Sequence, residues 1–145
     1  MKKMLVMLML IVAPYTAQAA SYDELCSGVL LQLNKYGIDV EKVLVVNIAA
    51  GKVLGIETIN KINPELHEIL AISTIVVAAL VKESGRKIDH VVLGPLTFNV
   101  EGDVRTYRFT SSMQEIWVLV GKYYGEGAPP DKELQKIWHP VEEED

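Results

Sequence analysis

Leu70-Ala71-Ile72-Ser73-Thr74-Ile75-Val76-Val77-Ala78-Ala79-Leu80-Val81, residues 70–81, decides how the rest of the chain must be arranged. Upstream, Asn63-Pro64-Glu65 provides a helix start: Asn as N-cap, Pro at the first helical position, and a carboxylate at the positive end of the helix macrodipole. Downstream, Gly85 with Arg86 and Lys87 ends it, so a helix is predicted from Leu66 to Lys82. A helix lying on a sheet needs one apolar stripe, whereas this one is apolar nearly all round and must be covered on two sides. Ile72 to Val81 is too short to span a membrane. The second cover therefore comes from another part of the chain or from a second copy of it.

Two apolar, β-branched runs precede this helix, Lys42 to Ile48 and Lys52 to Ile59. Ala49-Ala50-Gly51 between them is short enough for a hairpin turn, with Gly51 supplying a positive φ. Before the hairpin, Leu25, Cys26, Val29, Leu30, Leu33 and Tyr36 recur at helical spacing, which predicts a helix from Ser21 to Tyr36 closed by Gly37. After Gly85 the pattern turns to strands: Ile88 to Val100 with a break or bulge at Gly94-Pro95, Val104 to Thr110 with a half-exposed face, and Ile116 to Val120. The tail opens with a linker composition from Gly125 and continues with a short helix from Lys132 to Trp138. It ends in Glu142-Glu143-Glu144-Asp145, read as solvated and disordered.

At the other end, Met1-Lys2-Lys3 is basic, Met4 to Ala13 is apolar without interruption, Pro14 breaks it, and Ala17 and Ala19 give the small-x-small pattern that signal peptidase accepts. A leader over residues 1–19 is expected, with an exported product, periplasmic or extracellular. An uncleaved anchor is the weaker reading, since ten apolar residues cover only about half of a bilayer core. Of the 14 basic residues Lys2 and Lys3 leave with the leader, so the net charge of −5 becomes about −7. That balance argues against nucleic acid or an anionic membrane as partner. The single cysteine, Cys26, cannot form an internal disulfide. Burial on the first helix is its first reading, and an intermolecular or reactive thiol the alternative.

Nothing in the sequence assembles a catalytic, metal or cofactor motif. His67, His90 and His139 lack ligand spacing. Ser73 and Thr74 lie inside an apolar helix, where hydroxyls bond back to the preceding turn. Ala49-Ala50-Gly51-Lys52 ends like a phosphate loop but lacks its first glycine and joins two strands. Among the aromatic residues, Tyr107, Phe109 and Trp117 read as core or cross-strand pairs. Tyr123, Tyr124 and Trp138, near the end of the chain, are the candidates for a docking surface.

These elements give the order α-β-β-α-β-β-β, a five-stranded antiparallel sheet with flanking helices, over residues 20–124. A linker, short helix and acidic tail follow over 125–145. The order resembles the Roadblock/dynein light chain family, related to profilin- and longin-like folds, over about residues 22 to 121. The carriers are the helix ending Tyr36-Gly37, the hairpin Val43 to Ile59, the small-and-apolar helix Ala71 to Val81, and the closing strand Ile116 to Val120. The resemblance implies a homodimer or heterodimer meeting through the second helix, here Ile72, Ile75, Val76, Ala78 and Ala79. It does not carry over docking to small GTPases, a cytosolic role. The expectation is an exported, non-enzymatic, dimeric scaffold or adaptor that meets another envelope protein. The alternative is a small-ligand sensor or carrier of the periplasm, with a pocket between helix and sheet lined by Tyr107 and Trp117.

Overall fold

The hairpin forms where the two β-branched runs predict it. In the computed structural model, which describes residues 16–59 and 65–143, β1 (Val40–Ile48) and β2 (Gly51–Thr58) pair antiparallel, with Ile48 opposite Gly51 across the two-residue loop Ala49-Ala50. Gly51 has φ 123°, and a Cβ there would lie 2.3 Å from Asp89 Oδ2. The position therefore needs glycine twice over, for its backbone angle and for its neighbour. That Asp89 carboxylate accepts a hydrogen bond from the Lys52 amide at 2.8 Å and fixes the turn to the start of the third strand.

The elements run in the order α1 (Thr16–Lys35), β1, β2, α2 (Leu66–Ser84), β3 (His90–Val100), β4 (Asp103–Ser112), α3 (Met113–Lys122), α4 (Asp131–Ile137), β5 (His139–Glu142). The fold is α+β, with a five-stranded sheet in the order β1-β2-β3-β4-β5. The sheet is mixed and not wholly antiparallel, because β2 and β3 run parallel, Val53 opposite His90 through Glu57 opposite Gly94. The connection between these two strands carries α2, and a helical crossover returns the chain to the end from which it started. Gly94-Pro95 is a bulge, as expected, joined by a cis peptide bond, with the β3–β4 register shifting between Leu93 and Leu96.

Three expectations are corrected. The first helix begins at Thr16 and not at Ser21, since Ala17, Gln18, Ala19 and Ala20 favour a helix and no breaker separates them from it. Ile116 to Val120 is part of α3 and not a strand. Ser112 caps the helix, its Oγ accepting from the Glu115 amide at 3.1 Å while Glu115 Oε1 accepts from the Ser112 amide at 3.3 Å. This reciprocal capping box, with Met113, Ile116 and Leu119 buried one turn apart, outweighs the β-propensity of the run. The fifth strand is instead His139–Glu142, whose Pro140 is tolerated because β5 is an edge strand. The segment read as a linker and disordered acidic tail is thus integral as far as Glu143, whose amide donates to Thr106 O at 2.8 Å. Asn63 and Pro64, most of the leader and the last two acidic residues lie outside the described residues, but α2 begins at Leu66 with Glu65 and not Asn63 in the N-cap position.

Helices and sheet meet in one core. Leu25, Val29 and Leu33, four residues apart on α1, are buried in one cluster with Leu54 and Ile56 of β2 and Val77 and Val81 of α2. Each such side chain contributes roughly 1.5–3 kcal/mol on leaving water. Phe109 of β4 packs edge-on to Phe98 at 6.4 Å and beside Tyr107 at 6.2 Å, so two of the three expected core aromatics take that place.

Candidate interaction surface

The position of α2 among the other helices determines what it leaves to solvent. Leu70, Ala71, Ser73, Thr74, Val76, Val77, Ala78 and Val81 are buried, covered by the sheet beneath, α1 on one side and α3 and α4 on the other. Thr74 uses its hydroxyl as the sequence predicts, donating to Leu70 O at 2.7 Å, whereas the buried Ser73 Oγ makes no hydrogen bond among the described residues. Most of the second cover therefore comes from the chain itself. Ile72, Ile75 and Ala79 remain at the surface, with Ile75 44% exposed despite having no polar atom in its side chain.

Ile75 and Ala79 form a low ridge between two apolar hollows. On the α1 side a groove of about 330 Å³ is lined by Gln32, Tyr36, Ile72, Val76 and Leu80 together with the ridge. On the α3 side a broader depression of about 1160 Å³ runs past Ala78, Lys82 and Glu83 to Trp117, Val120 and Tyr124. Val76 and Ala78 are thus floor residues, buried within the chain, while Ile72, Ile75 and Ala79 reach the surface.

Tyr123, Tyr124 and Trp138 part company. Tyr124 is 86% exposed at the rim of the broader depression, and Tyr123 packs half-buried on the core. Trp138 is 1% exposed, and its indole Nε1–H donates to Thr74 Oγ1 at 2.9 Å, which removes it from any docking surface. Its place beside α4 is a tertiary arrangement that the Gly- and Pro-rich residues before it hide. Trp117, expected in the core, is at the surface beside the ridge. Trp117 and Tyr36 are the residues that sequence reasoning missed here; with Ser112 seen as an N-cap, the buried positions Met113, Ile116 and Leu119 leave Trp117 at the edge of the apolar face. Trp117 lines the broader depression, whose walls do not include Tyr107.

Cys26 is half-buried against the core, and its thiol is pushed up from 9.0 to about 12, first by burial and then by the Asp23 carboxylate. Little thiolate therefore exists at neutral pH, and alkylation by iodoacetamide at pH 8 is expected to run roughly 100- to 1,000-fold slower than in denaturant. Equal rates in the two conditions would refute the burial. The raised value also has a sign for stability: it has no effect below pH 9, and stability is lost as pH rises from 9 toward 12, because the unfolded thiol ionises first. His67 is exposed, His90 half-buried, and His139 Nε2 lies 3.3 Å from Glu115 Oε2. Among the described residues no three metal-ligating side chains converge, and no helix is long and apolar enough to cross a membrane.

Fold and surface together define an α+β domain with a mixed sheet and an apolar helical face. Comparison with protein-family models, with curated proteins and with solved structures returns no match to this chain.

Proposed function

We propose that this chain is an exported, non-enzymatic interaction module that pairs with a second copy of itself through α2 and offers its remaining surface to another envelope protein. The observation that carries the reading is the Ile75–Ala79 ridge lying beside apolar hollows. A ridge next to a groove is self-complementary about a two-fold axis: the ridge of each copy seats in the groove of the other, and the same residues serve both sides. Ile72, Ile75 and Ala79 carry no charge to desolvate, and Tyr36, Trp117 and Tyr124 around them are the residue types that concentrate binding energy. The Roadblock likeness enters only through the small-and-apolar helix, since its closing strand is α3. Export rests on the basic, apolar and small-x-small succession of residues 1–19. Cleavage after Ala19 would leave α1 starting at Ala20.

Ile75, and not the buried Ala78, is the position to charge. In sedimentation equilibrium the chain is expected to be dimeric with or without reductant, the half-buried Cys26 taking no part, and Ile75→Glu is expected to be a folded monomer. A monomeric wild type, or a variant that remains dimeric, refutes the interface.

A further inference from the structure

The sheet has a second face, turned away from the helices, and it is also apolar. Leu44, Val46 and Val53 are buried there in a small cluster of their own with Val92. Beside them Gly55 carries no side chain, and the surroundings enclose a cavity of about 500 Å³ reaching Thr110 and Arg108 on β4 and Val141 to Glu143 at the end of the chain. That volume is in the range of small-molecule sites.

Four ionisable groups line this cavity: Arg108, Glu57 and Glu143, which form one cluster, and Glu142, which pairs with Arg105 at 3.6 Å. Arg108, 7% exposed, pairs through Nε with Glu143, and its Nη1 lies 3.7 Å from Oε1 of Glu57, which is 5% exposed. At that distance the two charges attract without a hydrogen bond. Nη1 donates instead to Gly94 O at 3.4 Å. Glu57 Oε1 is thus fully buried and has no hydrogen-bond donor. Lys42, opposite Glu57 in the β1–β2 register, is exposed to solvent. In this cluster the Glu57 and Glu143 carboxylates share one guanidinium, so it lacks a positive charge, and Glu57 Oε1 lacks a donor, both at the wall of an apolar cavity. An anion has no place here, because Arg108 is already shared. A wholly apolar ligand would leave Oε1 as it is, whereas an ammonium supplies donor and charge together.

We propose that this cavity binds a small organic cation, an ammonium group on a hydrocarbon body, with the ammonium on Glu57 and the hydrocarbon against Leu44, Val46, Val53 and Val92. The sheet face is separate from the α2 ridge, so the site stands whether or not the chain dimerises there.

The test is titration of the ¹⁵N-labelled protein at pH 7 with n-octylammonium, octanoate and 1-octanol, followed by amide shifts. Octylammonium is expected to bind and move the amides of Gly55, Val92 and Thr110, with octanoate and octanol at least about tenfold weaker. Glu57→Gln is expected to weaken octylammonium by about 10- to 100-fold and leave octanol unchanged. The proposal is overturned if octanoate or octanol matches octylammonium on the wild type, if these amides do not move, or if Glu57→Gln keeps its affinity. The wild-type comparisons do not depend on how the variant folds.

Discussion

Truncating Trp138 to alanine lowers the stability of the folded chain by about 3–5 kcal/mol, the expected cost of deleting a fully buried aromatic side chain. Trp138 is 1% exposed and sits between α4 and β5, with its indole N–H 2.9 Å from Thr74 Oγ1 in the middle of α2. It fastens the last two elements to the body, alongside buried Leu134 and Ile137 of α4. Its loss leaves a cavity at that junction and loosens β5 from β4. Urea unfolding followed by circular dichroism measures the effect, since fluorescence would lose a reporter with the side chain. The melting temperature is expected to fall by roughly 10–20 °C. Trp138→Phe keeps much of the packing and loses the hydrogen bond, so it should cost about 1–2 kcal/mol. Were the tail a solvated appendage, both variants would match the wild type within about 0.5 kcal/mol.

Trp138 also marks where sequence reasoning stops. Elements whose signals are local were legible: Ala49-Ala50-Gly51 specified a turn, helical spacing from Leu25 to Leu33 specified α1, and the run through Val81 to Gly85 specified α2 and its end. The fifth strand was misplaced because two local signals competed. Ile116-Trp117-Val118-Leu119-Val120 is a good strand by composition, but Ser112 and Glu115, three residues apart, cap a helix whose buried positions are Met113, Ile116 and Leu119. The real strand, His139–Glu142, has four residues and a proline, and is held in place by its neighbour β4. Its formation depends on a tertiary contact that no local window contains. The same holds for the surface. Ile72, Ile75 and Ala79 could be picked from one helix, whereas Tyr36 and Trp117 come to the ridge from α1 and α3. The parallel β2–β3 pairing follows from a helix between two strands, and it was the expectation of a wholly antiparallel sheet that obscured it.

Arg108 was the least legible residue of all. By alternation with Tyr107 and Phe109 it belongs on the half-exposed face of β4, but Glu57 from β2 and Glu143 beyond β5 close around it. Gly94 makes room: a Cβ there would lie 3.1 Å from the Arg108 Cγ and 2.9 Å from Tyr107 O. Arg108→Met keeps the aliphatic stem and removes the charge, leaving the buried Glu57 carboxylate without its counter-charge. The expected cost is about 3–5 kcal/mol, as for breaking other buried ion clusters from one side. Glu57→Gln and Glu143→Gln added to Arg108→Met should restore most of that loss, because removing all the charges removes the desolvation penalty as well. The triple variant separates two roles by urea denaturation and octylammonium titration. Near wild-type stability together with lost octylammonium binding means that the charges are kept for a ligand and not for the fold. If Arg108→Met alone cost less than about 1 kcal/mol, the trio would behave as a solvated surface pair, and the unpaired Glu57 oxygen would no longer call for a cation.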